Sequence, residues 1–360
     1  KLTETIERLR TELVREAEKV SGAEPAGAAE TGRVSETIES LTPEQRKQFD
    51  EFARIPKNKM SAKDYETQDK AIAKFVREKD SLIKEYEKDH PDMVNTDDAR
   101  EFFRDIGYDG KNAAAVHEAS SALSNAVFEH YLKTKPGDVV EFMAGGAGSG
   151  KSSSLTIQPK GEGTAFTFDG TLSDFTSTMK KLESTVNAEK KPFVRFVLRD
   201  PLTAWNEGVV PRAVSKGRVV PLDTAFKGHE GSLSTVKKLI HDFPEITVQA
   251  FDNRGGKGEI KPMSLDNLAK MSYSKEEIKR QKEQAYEETK RLISEKAIEA
   301  NVGEALLGRI SEGTQRTDGI VAESGARRGA AVDEGAQTRV EPSKIAGTGL
   351  ETGKTVKDRL

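Results

Sequence analysis

The chain has no cysteine and a single tryptophan. Without cysteine there are no disulfides and no thiolate metal ligands, and the redox compartment is left undetermined. Long hydrophobic runs are missing as well. No apolar stretch reaches the length of a membrane span, and Lys1, Leu2, Thr3 and Glu4 do not open a signal peptide. Apolar residues are only 35% of the total and charged residues 32%, so part of the chain is expected to be unfolded or to form solvated helix. Neither sign of charge dominates. The net charge of −3 argues against a general nucleic-acid binder and leaves room for a local basic cleft. A length of 360 residues fits one large or two ordinary domains with tails, and Lys1 in place of methionine leads us to expect a piece of a longer protein.

What is present is a β-branched and aromatic run, Val139-Val140-Glu141-Phe142-Met143-Ala144, that turns directly into Gly145-Gly146-Ala147-Gly148-Ser149-Gly150-Lys151-Ser152. This is G-x-x-x-x-G-K-S between a readable strand and a readable helix, the pattern of a phosphate-binding loop. The glycines let several N–H groups converge on one point, and Lys151 adds a cation beside the β- and γ-phosphates. Ser152 is the expected Mg²⁺ ligand, and the helix that starts there aims its N-terminal dipole at the same anion. ATP or GTP with Mg²⁺ is the expected ligand. Gly145, Gly146, Ala147, Gly148, Ser149, Gly150, Lys151, Ser152 and Ser153 are the expected ATP contacts, with Asn253 beyond a later strand.

The rest of the chain divides by composition. Ile6, Leu9, Leu13, Ala17 and Val20 recur at helical spacing, and residues 21–33 read as a linker. Thr42-Pro43-Glu44-Gln45 reads as a capping box opening a helix with Phe49, Phe52 and Ile55 that continues through Ala71 to Tyr86. Met93-Val94-Asn95 reads as a short strand before a helix, and Val116, Leu123, Val127 and Tyr131 mark the buried face of a longer helix. Strands are expected at 164–168, 193–198 and 246–251. Strands alternating with helices predict an α/β fold with a parallel sheet, whose ligands sit at the strand C-terminal ends. Ser274 and Glu277 cap a charged helix running to about Ala300, read as an external strut. From 313 to 360 there is no aromatic residue and no periodicity, which predicts a disordered tail. The expected organisation is thus an N-terminal helix and linker (1–33), a helical region (34–91), a core (92–272), the charged helix (273–312) and the tail (313–360).

Residues 211–221 place Arg212, Lys216 and Arg218 in a loop-like stretch, followed by His229. Phosphoryl transfer requires positive charge over the migrating group, which a basic lid supplies; a solvated basic loop is the other reading. No Asn/Thr-Lys-x-Asp guanine motif is present, which ranks ATP above GTP.

Taken together, Val94-Asn95-Thr96-Asp97-Asp98, Val116-His117-Glu118-Ala119-Ser120, Gly145 to Ser152, Phe168-Asp169-Gly170-Thr171-Leu172 and Gly217-Arg218-Val219-Val220-Pro221 with His229 resemble the zeta toxin family of P-loop kinases. The resemblance covers roughly residues 92–251. It implies a P-loop kinase-like core that transfers the γ-phosphate of ATP to a sugar hydroxyl of a nucleotide sugar, typically UDP-N-acetylglucosamine. It implies that Asp97 accepts the hydroxyl proton, that Glu118 and Thr171 bind substrate, with Asp169 presenting Thr171, and that Arg212 and Arg218 are the lid cations. It implies a cytoplasmic site of action, with an antitoxin or neighbouring domains as partners and delivery as an effector or a phage or mobile-element protein left open. The motif order departs from the family. The Asn-x-Asp and His-Glu words precede the phosphate loop instead of following it, as in a circular permutation, which keeps the site if the new connections run over the sheet faces.

From the residues alone Asp97 also reads as a helix N-cap, and Asp169 is the alternative base. Two other functions stay open: a kinase for another nucleotide, a dinucleotide cofactor or a nucleic-acid end, and a non-catalytic nucleotide-binding module of a larger polyprotein. Deleting 313–360 is expected to leave melting temperature and nucleotide affinity almost unchanged, because such a segment buries little; a marked drop in melting temperature would show that it packs on the core.

Overall fold

The computed structural model describes residues 40–55, 60–256 and 259–308, together with 7, 8 and 11, all within the compact unit Lys1–Ser311. The apolar stripe of Ile6, Leu9, Leu13, Ala17 and Val20, the 21–33 linker and the 313–360 tail lie outside the described residues.

Helix α1 (Pro43–Asp50) starts at the expected capping box: Thr42 Oγ1 accepts the Gln45 N–H while Gln45 Oε1 accepts the Thr42 N–H. It does not continue into the next helix as expected. α1 ends at Asp50, before Phe52 and Ile55, and α2 (Ala62–Asp89) has its own N-cap, Ser61. The Gln68 side chain accepts the Ile55 N–H at 2.9 Å and donates to Ile55 O at 3.3 Å, so the backbone there is satisfied without a helix.

Next come β1 (Met93–Asn95), α3 (Thr96–Glu101), α4 (His117–Thr134), β2 (Val139–Ala144), α5 (Lys151–Ile157), β3 (Thr164–Asp169), α6 (Phe175–Asn187) and β4 (Lys191–Leu198). They are followed by α7 (Pro201–Ala204), a π-helical turn at Trp205–Val209, α8 (Val210–Lys216), α9 (Leu222–Asp242), β5 (Thr247–Asp252), β6 (Lys261–Met263), α10 (Leu265–Lys270), α11 (Lys275–Ser294) and α12 (Ala300–Leu306). The fold is α/β, as expected. A six-stranded sheet in the order β1-β3-β2-β4-β5-β6 is flanked by helices, with the first five strands parallel. β6 pairs antiparallel to β5 at the edge and has no counterpart in the sequence reading. It is three residues long and contains Pro262, which cannot donate to a ladder, so its pattern is that of an edge fragment.

One sheet face carries the main core. Val140, Phe142 and Ala144 of β2 and Val194, Phe196 and Leu198 of β4 pack with Leu123, Val127, Phe128 and Tyr131 of α4, Met179 and Leu182 of α6, and Leu233, Val236 and Leu239 of α9. The predicted apolar residues Val116, Leu123, Val127 and Tyr131 are all buried, the last three on α4 and Val116 in the turn just before it. A second cluster joins Trp205, Val209 and Ala213 to Phe226 of α9 and to Ile278, Ala285 and Leu292 of α11. This corrects two expectations. α11 ends at Ser294, and it is packed, not an external strut: its inner stripe includes Gln281, which donates to Asp200, and Thr289, which accepts the Trp205 indole N–H at 3.1 Å. Polar residues on that stripe hid a buried face. Residues 210–216, read as loop, are helical, because Pro211 sits in the first turn, where its missing N–H costs nothing.

Among the described residues no helix is long and apolar enough to cross a membrane. α2 is tied to β1 by Tyr86, whose hydroxyl accepts the Asn95 N–H at 2.8 Å and donates to Asn95 O at 3.1 Å. Tyr86→Phe leaves the Asn95 N–H unpaired, the carbonyl still serving the first turn of the helix that follows, and is expected to cost about 1–3 kcal/mol, measured by urea unfolding; no loss would show that water replaces the hydroxyl.

Candidate functional site

Because β1, β3, β2, β4 and β5 are parallel, their C-terminal ends share one sheet edge. Asn95 and Asp169 are the last residues of their strands, and the 145–150 loop, Arg199 with Asp200, and Asn253 follow theirs. Five segments far apart in sequence therefore meet at one cleft, where ligands of open α/β sheets bind.

The glycine loop is held from behind. Gly145 N donates to Thr171 O at 3.1 Å, Arg199 Nη1 donates to Gly148 O at 2.9 Å, and Asn253 Nδ2 donates to Ser149 O at 2.7 Å. Gly148 has φ +73, and a Cβ there would stand 2.5 Å from Ala204 O and 3.2 Å from the Gly208 Cα of the π turn. Gly146 lies against His229: a Cβ would meet the ring at 2.2 Å. His229 is 5% exposed and donates from Nε2 to Ala147 O at 3.0 Å. Burial pushes its imidazole from the ordinary 6.5 down to about 4, so it is neutral at neutral pH.

On its open side the loop has unused donors. The N–H groups of Ala147, Gly148, Gly150, Lys151 and Ser152 donate to no group among the described residues. Lys151 Nζ, 14% exposed, donates to Gly145 O at 3.0 Å and lies 4.0 Å from Asp169 Oδ1. Buried Ser149 Oγ, Arg199 Nε and Asn253 Oδ1 also have no partner among the described residues. α5 is short, at seven residues. The converging N–H groups and Lys151, more than a helix dipole, make this a place for an anion.

The segment after β1 reaches the same cleft. Asn95 Nδ2 donates to Asp169 Oδ2 at 3.0 Å, and Asn95 Oδ1 accepts the Asp97 N–H at 2.7 Å. Asn95, not Asp97, is thus the N-cap of α3. Freed from capping, the Asp97 carboxylate pairs with Arg218 through Oδ2 and with Arg100 Nη1 through Oδ1 at 2.5 Å. Burial would raise the Asp97 carboxyl, but Arg100, Arg218 and Lys151 together hold it below the ordinary carboxylate value. Its neighbour Asp98 is pushed up by burial, against the pull of His90 and Arg218. The arrangement is an ionised carboxylate beside three cations, with one arginine contact on each oxygen and a second lone pair left on each as a proton acceptor.

The structure thus brings Asp97, Lys151, Asp169, Arg218 and the loop together, with Asn253 behind it. Thr171 contributes its carbonyl to the loop, while its hydroxyl hydrogen-bonds that of Ser173 at 2.9 Å. Glu118 is half-buried in the first turn of α4, next to the exposed His117. Ser152 and Ser153 are exposed at the mouth. Arg212 is exposed on α8 and pairs with nothing among the described residues. Arg100 was missed by sequence reasoning; the signal was its place three residues after Asp97 on a helix, where side chains are neighbours. Among the described residues no cluster of three or more His, Cys, Asp or Glu could hold a metal.

No family model matches the chain, and no curated protein matches it.

His229 makes stability depend on pH. Its folded value lies below its unfolded one, so its stabilisation is complete above about 6.5 and is lost as pH falls toward about 4, by roughly 3 kcal/mol. His229→Gln is expected to flatten the fall in urea-unfolding free energy across that window. An unchanged pH slope would show that His229 is protonated inside the fold.

Proposed function

We propose that the protein is an ATP-dependent phosphotransferase acting on a hydroxyl acceptor, with a nucleotide sugar such as UDP-N-acetylglucosamine as the leading acceptor by the resemblance above. The observation that carries the reading is the continuity of one polar chain across the cleft: Asp97 N–H to Asn95, Asn95 to Asp169, and Asp169 to Lys151 at 4.0 Å, beside loop N–H groups that have no acceptor. A P-loop kinase core of rearranged motif order is compatible with the strand order, since β1 precedes the loop in sequence yet lies beyond β3 in the sheet.

The residues fit the triphosphate and its metal. The N–H groups of Ala147, Gly148, Gly150, Lys151 and Ser152 and the Lys151 ammonium offer donors and a cation. Ser152 offers a hydroxyl and Asp169 a carboxylate, a donor set that suits Mg²⁺, which binds through one or two protein oxygens plus phosphates and waters. When bound, Mg-ATP supplies the phosphoryl group and neutralises its charge. In this reading Asp97 accepts the acceptor hydroxyl's proton, Arg218 turns from Asp97 to balance charge on the migrating group, and Lys151 moves off Gly145 O onto the phosphates. Arg100 keeps Asp97 oriented. Glu118 and Thr171 line the acceptor side, and Arg212 would have to swing inward to serve as a second lid cation.

The test is mass spectrometry of a metabolite extract incubated with protein and Mg-ATP, reading which molecule gains one phosphoryl group. Lys151→Ala is expected to abolish the gain. Asp97→Asn should keep ATP binding and lose about a hundredfold in kcat, and Arg218→Ala should lose on the order of a thousandfold. A dead Asp169→Asn enzyme beside an active Asp97→Asn one would make Asp169 the base. Near-wild-type turnover by Lys151→Ala would sink the kinase reading, and ATP binding without any phosphorylated product would favour a nucleotide-binding module.

A further inference from the structure

Outside the cleft the sheet buries a second pair of charges. In β2 and β4 the residues Val140, Phe142, Ala144, Val194, Phe196 and Leu198 face the main core, so Glu141 and Arg195 share the opposite face. Arg195 Nε donates to Glu141 Oε1 at 2.5 Å, and its Nη1 donates to Gln158 O at 2.9 Å and Ser154 O at 3.5 Å. The two charged side chains are 1% and 2% exposed. Ser154 and Gln158 are the last turn and C-cap of α5, the helix that continues directly from the glycine loop.

α5 has little apolar surface with which to hold itself down. Ser154 is its only buried residue, and Ile157 is 50% exposed. Its docking is therefore polar and directional: a guanidinium anchored in the central strands caps its final carbonyls. Burying such a pair is costly, and apolar side chains of similar volume commonly serve stability as well or better. What an apolar filling cannot supply is a fixed direction for the carbonyls it meets.

We propose that Glu141 and Arg195 are positioning residues: Glu141 orients the guanidinium, and Arg195 clamps the C-terminal end of α5 so that Lys151, Ser152 and the loop N–H groups are held ready for the phosphates. The inference rests on the phosphate-loop reading above for its ligand, and on the hydrogen bonds alone for the clamp. Neither residue touches the cleft. Their role is to remove the loss of order that the loop and its helix would otherwise suffer on binding.

The experiment uses the full chain and two changes. The double variant Glu141→Leu/Arg195→Met removes both charges together and is expected to melt at or above the wild-type temperature. Arg195→Lys keeps the charge beside Glu141 but lacks the fork that reaches both Glu141 and the α5 carbonyls. In unliganded protein, amide hydrogen exchange at residues 154–158 should quicken about tenfold or more in both, while exchange in β2 and β4 stays as in wild type. Calorimetric titration with Mg-ATP should show affinity weakened about tenfold or more, with KM for ATP raised more than kcat is lowered. Exchange at 154–158 that matches wild type in a variant of wild-type melting temperature overturns the clamp. So does faster exchange with unchanged Mg-ATP affinity, because α5 order would then be irrelevant to binding. If the wild type itself fails to bind Mg-ATP, the phosphate-loop reading falls, and the exchange result judges the clamp by itself.

Discussion

β3 lies between β1 and β2 and pairs parallel with both, which sets Asn95 beside Asp169 in register and brings the Asn95 amide onto the Asp169 carboxylate at 3.0 Å. This placement decides the chemistry of the cleft. The chain runs from the edge strand β1 through α4 to the centre at β2, and only later fills the gap with β3. Parallel pairing then forces the segment after β1 and the loop after β2 to emerge on the same side. Had β1 paired antiparallel at the same edge, Asp97 would leave at the opposite end of the sheet, out of reach of Lys151.

Charge balance in the cleft follows from that geometry. Asp97, Asp98 and Asp169 face Arg100, Arg218 and Lys151, and each carboxylate meets a different environment. Burial raises Asp98, whereas three cations outweigh burial at Asp97 and keep it ionised. The half-buried Asp97 carboxylate carries an arginine on each oxygen and keeps a second lone pair on each. In the proposed reading, anionic phosphates would draw Arg218 off Asp97 and open that oxygen to the acceptor hydroxyl. In the proposed reading, the Arg218–Asp97 pair and the Lys151–Gly145 contact are the resting partners of groups that turn to phosphates when nucleotide binds.

The loop depends on its back wall as much as on its glycines. A neutral, buried His229 fills the space beside Gly146, and the Gly148 backbone abuts Gly208 in the π turn. Charge on His229 would place an unsolvated cation against the loop, so burial and neutrality support each other. Below, α5 is held by Arg195 and not by apolar packing. The loop therefore sits between a tight steric wall and a directional polar anchor, which fixes its shape without filling the side where an anion would sit.

Much of this was legible beforehand. The strand-loop-helix pattern of residues 139–152, the Thr42 capping box and the buried α4 face follow from local periodicity and turn chemistry, which neighbouring residues determine by themselves. The α/β class followed from the alternation of strands and helices. Other features were set by residues distant in sequence. Gln68 satisfies Ile55 and ends a helix that periodicity would have continued, and Thr289 and Gln281 bury polar atoms on a helix whose composition reads as solvated. The meeting of Asp97 with Arg218 across the cleft, and of Glu141 with Arg195 beneath α5, lies beyond any local pattern. Sequence determines which side chains can carry a charge or bend a loop; only the order in which the strands pair decides which of them stand within a few ångströms of one another, because pairing is a contact between segments and not a property of either.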